Sequence, residues 1–125
     1  QLLGYDMDKG ARAGATLRLT LYWQCVAEMT ESYTVFTHLL DSDDVTRGQR
    51  DRLPGVPEAP TTSWIEGEVI TDPYEIAVDP AAPGGEYVVE IGMYAAATMK
   101  RLPVYDAQGA SQGERVLLEP VEVDR

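Results

Sequence analysis

The chain has 125 residues, 44% of them hydrophobic, and a net charge of −11 from 21 acidic and 10 basic side chains. That length fits one domain with a real core, and that hydrophobic content excludes a disordered chain. The acidity excludes the basic footprint that nucleic acid needs, and it disfavours an anionic membrane surface.

Residues 1–6 read as a short strand, and residues 8–14 as a turn broken by Gly10 and Gly14. Residues 15–24 alternate strictly: Leu17, Leu19, Leu21 and Trp23 point one way, Thr16, Arg18, Thr20 and Tyr22 the other. A period of two over that length predicts a half-buried strand. Residues 26–32 are polar and acidic, a loop with the only short helical turn expected in the first half. Residues 33–41 give a second long strand, with Tyr33, Val35, Thr37 and Leu39 on one face and Thr34, Phe36, His38 and Leu40 on the other. Both faces are partly apolar, so this strand is either covered twice or meets something else on its outer side.

Residues 41–44 form an acidic turn, and residues 45–51 a hairpin return. Residues 52–67 contain Pro54, Pro57 and Pro60 and are expected to cross between sheets, with Trp64 pinning the segment to the core. A strand over residues 68–78, interrupted at Pro73, turns its Tyr74, Ile76 and Val78 inward. The turn at 79–85 then launches the strand around which the rest is arranged. Tyr87, Val89, Ile91 and Met93 form its apolar face; Val88, Glu90, Gly92 and Tyr94 form the other. A strand with one wholly apolar face must lie against a second layer. Residues 101–106 make a short strand, and residues 114–123 close the sheet with Val116 and Leu118 inside.

The sum is an all-β chain: an immunoglobulin-like β-sandwich of two antiparallel sheets with seven to nine strands, one domain over residues 1–125. Tyr87, just after Pro83-Gly84-Gly85, sits where such folds anchor a corner through a tyrosine. The chain begins at Gln1, and its first residues already read as structural, so a segment of a longer protein is expected.

The sets Leu3-Gly4-Tyr5-Asp6, Leu19-Thr20-Leu21-Tyr22-Trp23-Gln24, Tyr33 to Asp41, Trp64-Ile65-Glu66-Gly67-Glu68 and Gly85-Glu86-Tyr87 occur in that order. Together they resemble a β-sandwich domain found behind the membrane-spanning part of some bacterial glycosyltransferase-like proteins. Those proteins are similar to the lipid-linked-sugar-dependent mannosyltransferases. The resemblance runs from Gln1 to about Val123. It implies a non-catalytic accessory domain on the extracytoplasmic face of a bacterial membrane, whose partner is the rest of the parent protein or a glycan. The family's acidic catalytic motif belongs to the membrane part, so no catalytic residue carries over.

The residues themselves point the same way. His38 is the only histidine, and neither a metal set nor a nucleophile with its base accompanies it. Asp41, Asp43 and Asp44 lack the glycine and closing glutamate of a calcium loop and read as a plain turn. Cys25 has acidic rather than basic company and reads as a packed thiol. Neither a cofactor nor a metal is expected, and the isolated domain is expected not to be an enzyme. The candidate surface is the shared outer face of the two long strands: Phe36, His38, Leu40 and Tyr94, with Val88 and Glu90 beside them. It is expected to form an aromatic and aliphatic patch that contacts the parent protein, a second copy, or a sugar. An independent carbohydrate-binding module, stacking sugars on Tyr22, Phe36 or Tyr94, is the alternative.

Overall fold

The computed structural model describes residues 1–55 and 57–125. Val56, inside the expected crossing segment, lies outside the described residues. Among the described residues ten strands form, where seven to nine are expected: β1 (Leu2–Met7), β2 (Gly10–Arg12), β3 (Thr16–Gln24), β4 (Tyr33–Leu40), β5 (Thr46–Gln49), β6 (Val69–Ala77), β7 (Gly85–Ala95), β8 (Lys100–Leu102), β9 (Val116–Leu117) and β10 (Val121–Asp124). A single 3-10 turn, Thr61–Ser63, completes the regular structure among the described residues.

Two sheets face each other. The smaller has the order β1-β3-β6; the larger has β2-β10-β7-β4-β5, with β8 and β9 also pairing β7. The chain is therefore an all-β sandwich. Strand β7 is its hub. One side pairs with β4 from Val88 to Ala95, and the other is shared in turn by β10, β9 and β8. The alternating residues do what their period demands. Leu17, Leu19, Leu21 and Trp23 of β3 face Tyr87, Val89, Ile91 and Met93 of β7, all within one buried cluster. Val35 and Leu39 of β4 join the same core.

Several local expectations change. The segment 8–14 is more than a turn. It carries β2, which leaves the small sheet and pairs parallel with β10, the one parallel pairing among the described residues. The short helical turn lies at 61–63 rather than in 26–32. There Thr61 Oγ1 donates to the Glu31 carbonyl and accepts the Tyr33 N–H, which ties the crossing segment to the start of β4. Trp64 is buried and donates its indole N–H to the Ala59 carbonyl, the expected pin.

Pro73 does not interrupt β6. The ladder explains why. Arg18 directs its carbonyl to Asp8, so the even-numbered residues of β3 serve β1, and Thr20 stands opposite Pro73. The position lacking an N–H therefore faces the free edge, where proline costs no ladder bond. Its carbonyl, also turned to that edge, accepts from the Arg52 guanidinium.

At Gly48 of β5 the larger sheet comes close to the end of β6. A Cβ built there would stand 2.6 Å from the Ala77 carbonyl oxygen and 2.9 Å from Ile76 Cγ2. The first obstacle is backbone, which cannot step aside as a side chain can. Gly48→Ala should therefore cost about 1–3 kcal/mol, as overpacking does. Urea denaturation monitored by tryptophan fluorescence checks this, and an unchanged midpoint would show that β5 can shift freely.

Tyr87 donates its hydroxyl to the Pro83 carbonyl at the mouth of β7. The bond fixes the turn before the hub strand to the first inward residue of that strand.

Candidate functional site

The outer faces of β4 and β7 meet in register. Thr34 pairs with Tyr94, Phe36 with Gly92, His38 with Glu90, and Leu40 with Val88. Strand β5 sets Gln49 beside His38, and β9 sets Leu117 beside Glu90. The candidate residues thus share one face, but it differs in character from the expected aromatic and aliphatic patch. Phe36 is 1% exposed although it is not part of the inter-sheet core. Its ring lies over Gly92, where a Cβ would come within 2.5 Å, and the Arg101 guanidinium covers it at 4.4 Å. A glycine on β7 provides the seat, and a cation–π contact closes it. Phe36 is therefore an internal support of the face, not a contact surface.

The centre of the face is polar. His38 Nδ1 donates to Glu90 Oε1 at 3.1 Å. Arg115 Nη1 meets Glu90 Oε2 at 2.6 Å, and Arg101 Nη2 lies 3.5 Å from Oε1. Burial alone pushes the Glu90 carboxyl up; the Arg115 bond, the His38 bond and the Arg101 charge outweigh it and leave the group below the usual carboxylate range. On the other side of the ring, His38 Nε2 is 3.4 Å from Asp51 Oδ1, and this buried oxygen has no hydrogen-bond partner among the described residues. Asp51 Oδ2 accepts the Tyr94 hydroxyl at 3.2 Å. Burial first, and then Asp51, raise the Tyr94 phenol.

Two carboxylates address opposite nitrogens of one imidazole, so the three groups do not converge on a point. No cluster of three or more His, Cys, Asp or Glu side chains suited to a metal occurs among the described residues. The acidic turn is self-contained. Asp41 accepts from the N–H groups of Asp43 and Val45 and from Arg47 Nε at 2.9 Å. The Arg47 bond, then the Val45 N–H, hold its carboxyl below the usual range against the effect of burial. Cys25 is buried, with its thiol against the Ala27 carbonyl.

Glu90 and Asp41 give a pH dependence with a definite sign. Both carboxyls are lowered on folding, so their contribution is complete above the unfolded values, about 4, and is lost as pH falls through the folded ones. The urea midpoint should stay level from neutral pH to about 5 and fall below about 4. Asp41→Asn with Glu90→Gln should flatten that fall. A midpoint that rises on acidification through this window would contradict the assignment.

A second polar cluster escaped the sequence reading. Asp72 on β6 is fully buried between the sheets. Its carboxylate accepts from Trp23 Nε1 at 3.1 Å, Tyr74 OH at 2.6 Å, Gly55 N at 2.8 Å and Arg52 Nη1 at 3.2 Å. Arg52 also stacks over the Tyr74 ring at 4.1 Å. Burial and the Asp72 charge hold the Tyr74 phenol far above its ordinary value, so it stays a donor. With every Asp72 partner inside the fold, this cluster anchors the crossing segment.

The aromatics considered for sugar stacking fall on two sheets, with the Phe36 and Tyr94 ring centroids 6.3 Å apart on one of them. Tyr22 lies on the outer face of the small sheet and donates to Asp6, while Phe36 and Tyr94 belong to the larger one. No family model matches the chain, and no curated protein matches it.

Proposed function

We propose that the chain is a non-catalytic, extracytoplasmic accessory domain of a larger membrane-associated, glycosyltransferase-like protein. It acts by docking through the outer face of the larger sheet. In this reading the sandwich is of the immunoglobulin-like kind, and the Tyr87–Pro83 corner supports that. The observation that carries the docking reading is the mutual engagement of the outer-face groups. Glu90 meets two guanidinium groups and the His38 imidazole, and His38 lies between two carboxylates. Such groups form a rigid, preformed surface rather than an array around a reacting molecule, and preorganisation lowers the entropic cost of association. The partner is the rest of the parent protein, with a second copy or a glycan as the competing outcomes. The burial of Phe36 and the placement of Tyr22 on the other sheet favour docking over an independent carbohydrate-binding module.

Fractionation of the native cells tests this reading. An antibody against the domain should find it with the membranes, and added protease should remove it from intact spheroplasts. Recovery in the soluble cytosolic fraction would overturn the proposal.

A further inference from the structure

Beside the His38 cluster the outer face changes character. Leu40 and Val88 pair across β4 and β7 and are half-buried, and Leu117 of β9 is 51% exposed. These three line an open depression of about 290 Å³. Asp44 and Glu86 border it, both exposed, and the lining also holds Asp41 and Arg115, whose charges are met by Arg47 and Glu90. Glu86 on β7 stands directly opposite Glu122 on β10, also exposed. Like charges paired across a ladder destabilise a sheet, and the next strand offers only Gly10 at this level. Neither glutamate nor Asp44 takes part in an ion pair among the described residues, whereas Asp41, Glu90 and Arg115 nearby are all paired. An aliphatic floor thus adjoins negative charge that the fold leaves uncompensated.

We propose that this depression docks an extended basic segment of a partner polypeptide, one large apolar side chain resting on Leu40, Val88 and Leu117 and flanking lysine or arginine meeting Glu86, Glu122 and Asp44. The inference rests on the docking reading and names the chemistry of its partner. Charge complementarity selects the occupant: the chain carries −11 overall, and a second copy would bring the same acidic margin to the contact. The apolar anchor gives the contact its specificity, since the flanking charges alone would attract any cation.

The test uses the 125-residue chain and a fluorescein-labelled peptide of alternating lysine and leucine, followed by anisotropy at physiological ionic strength. Lysine–serine and glutamate–leucine peptides serve as controls. The lysine–leucine peptide should bind, and Leu117→Ser and the pair Glu86→Gln with Glu122→Gln should each weaken it about fivefold or more, roughly 1 kcal/mol. Glu75→Gln, on the outer face of the small sheet, should leave binding unchanged. A second readout needs no peptide: Glu122→Gln should raise the melting temperature by a few degrees, because it relieves the paired glutamates. Several results would each overturn the proposal: absent binding, equal binding of the lysine–serine peptide, an equal loss in Glu75→Gln, or a lowered melting temperature in Glu122→Gln. Sedimentation showing a dimer that Leu117→Ser dissolves would overturn it in favour of a second copy. Should the peptide fail while the domain is still found outside the membrane, only the basic-segment assignment falls; a cytosolic domain removes the docking reading itself.

Discussion

Asp72→Ala should cost about 3–5 kcal/mol, the usual consequence of breaking a buried ion pair from one side. The carboxylate is fully buried and serves four donors from three parts of the chain: β3, β6 and the start of the crossing segment. Its removal leaves the Trp23 indole and the Gly55 N–H without an acceptor inside the fold and takes the counter-charge from the Arg52 guanidinium, which keeps only the carbonyls of Leu53, Gly55 and Pro73. Each unpaired buried donor costs about 1–3 kcal/mol, so the effects compound. Against a total of about 5–15 kcal/mol for a domain, the variant should melt on the order of 10–20 °C lower. Asp72→Asn keeps the shape and one acceptor oxygen and should be milder. Because Trp23 and Asp72 share a bond, their alanine variants should combine less than additively in a double-mutant cycle. Additive losses would show that the network is not cooperative.

Leu21→Ala is the second large effect, at about 2–5 kcal/mol. Leu21 is 0% exposed, sits on the central strand of the small sheet and stands opposite Asp72 in the ladder. The cavity would open in the middle of the sandwich, where neighbours on two sheets cannot both collapse into it. Chemical denaturation measures the loss, and a value under about 1 kcal/mol would contradict the inward face assigned to β3.

The strands were legible because period-two alternation is a local property. Leu17 to Trp23 and Tyr87 to Met93 needed no knowledge of their partners, and neither did the outer-face set of Phe36, His38 and Leu40. What escaped were features that depend on pairing. Asp72 stands at an inward position between Ile70 and Tyr74, and that parity alone marks an acid in need of buried donors. The donors come from Trp23, Arg52 and Gly55, at sequence distances that no pattern links. Pro73 reads as a break until the ladder shows its missing N–H turned to a free edge. Phe36 reads as exposed because alternation reports a face, not what crosses it. The covering groups, Gly92 and Arg101, come from β7 and β8. Arg115 and Arg101 joined Glu90 for the same reason: three strands share one side of β7, and the sequence does not say which segments will occupy it.

Photo-crosslinking in the living cell tests the docking claim most directly. A benzophenone amino acid would replace Leu117 on the outer face of the larger sheet, and in a parallel strain Glu75 on the outer face of the smaller one. Both side chains are exposed, so neither replacement disturbs the core. Irradiation should yield a defined adduct within the parent protein or with one partner polypeptide from position 117, and none from position 75. Adducts of equal yield from both positions, or none from position 117, would contradict a docking surface on the β4–β7 face.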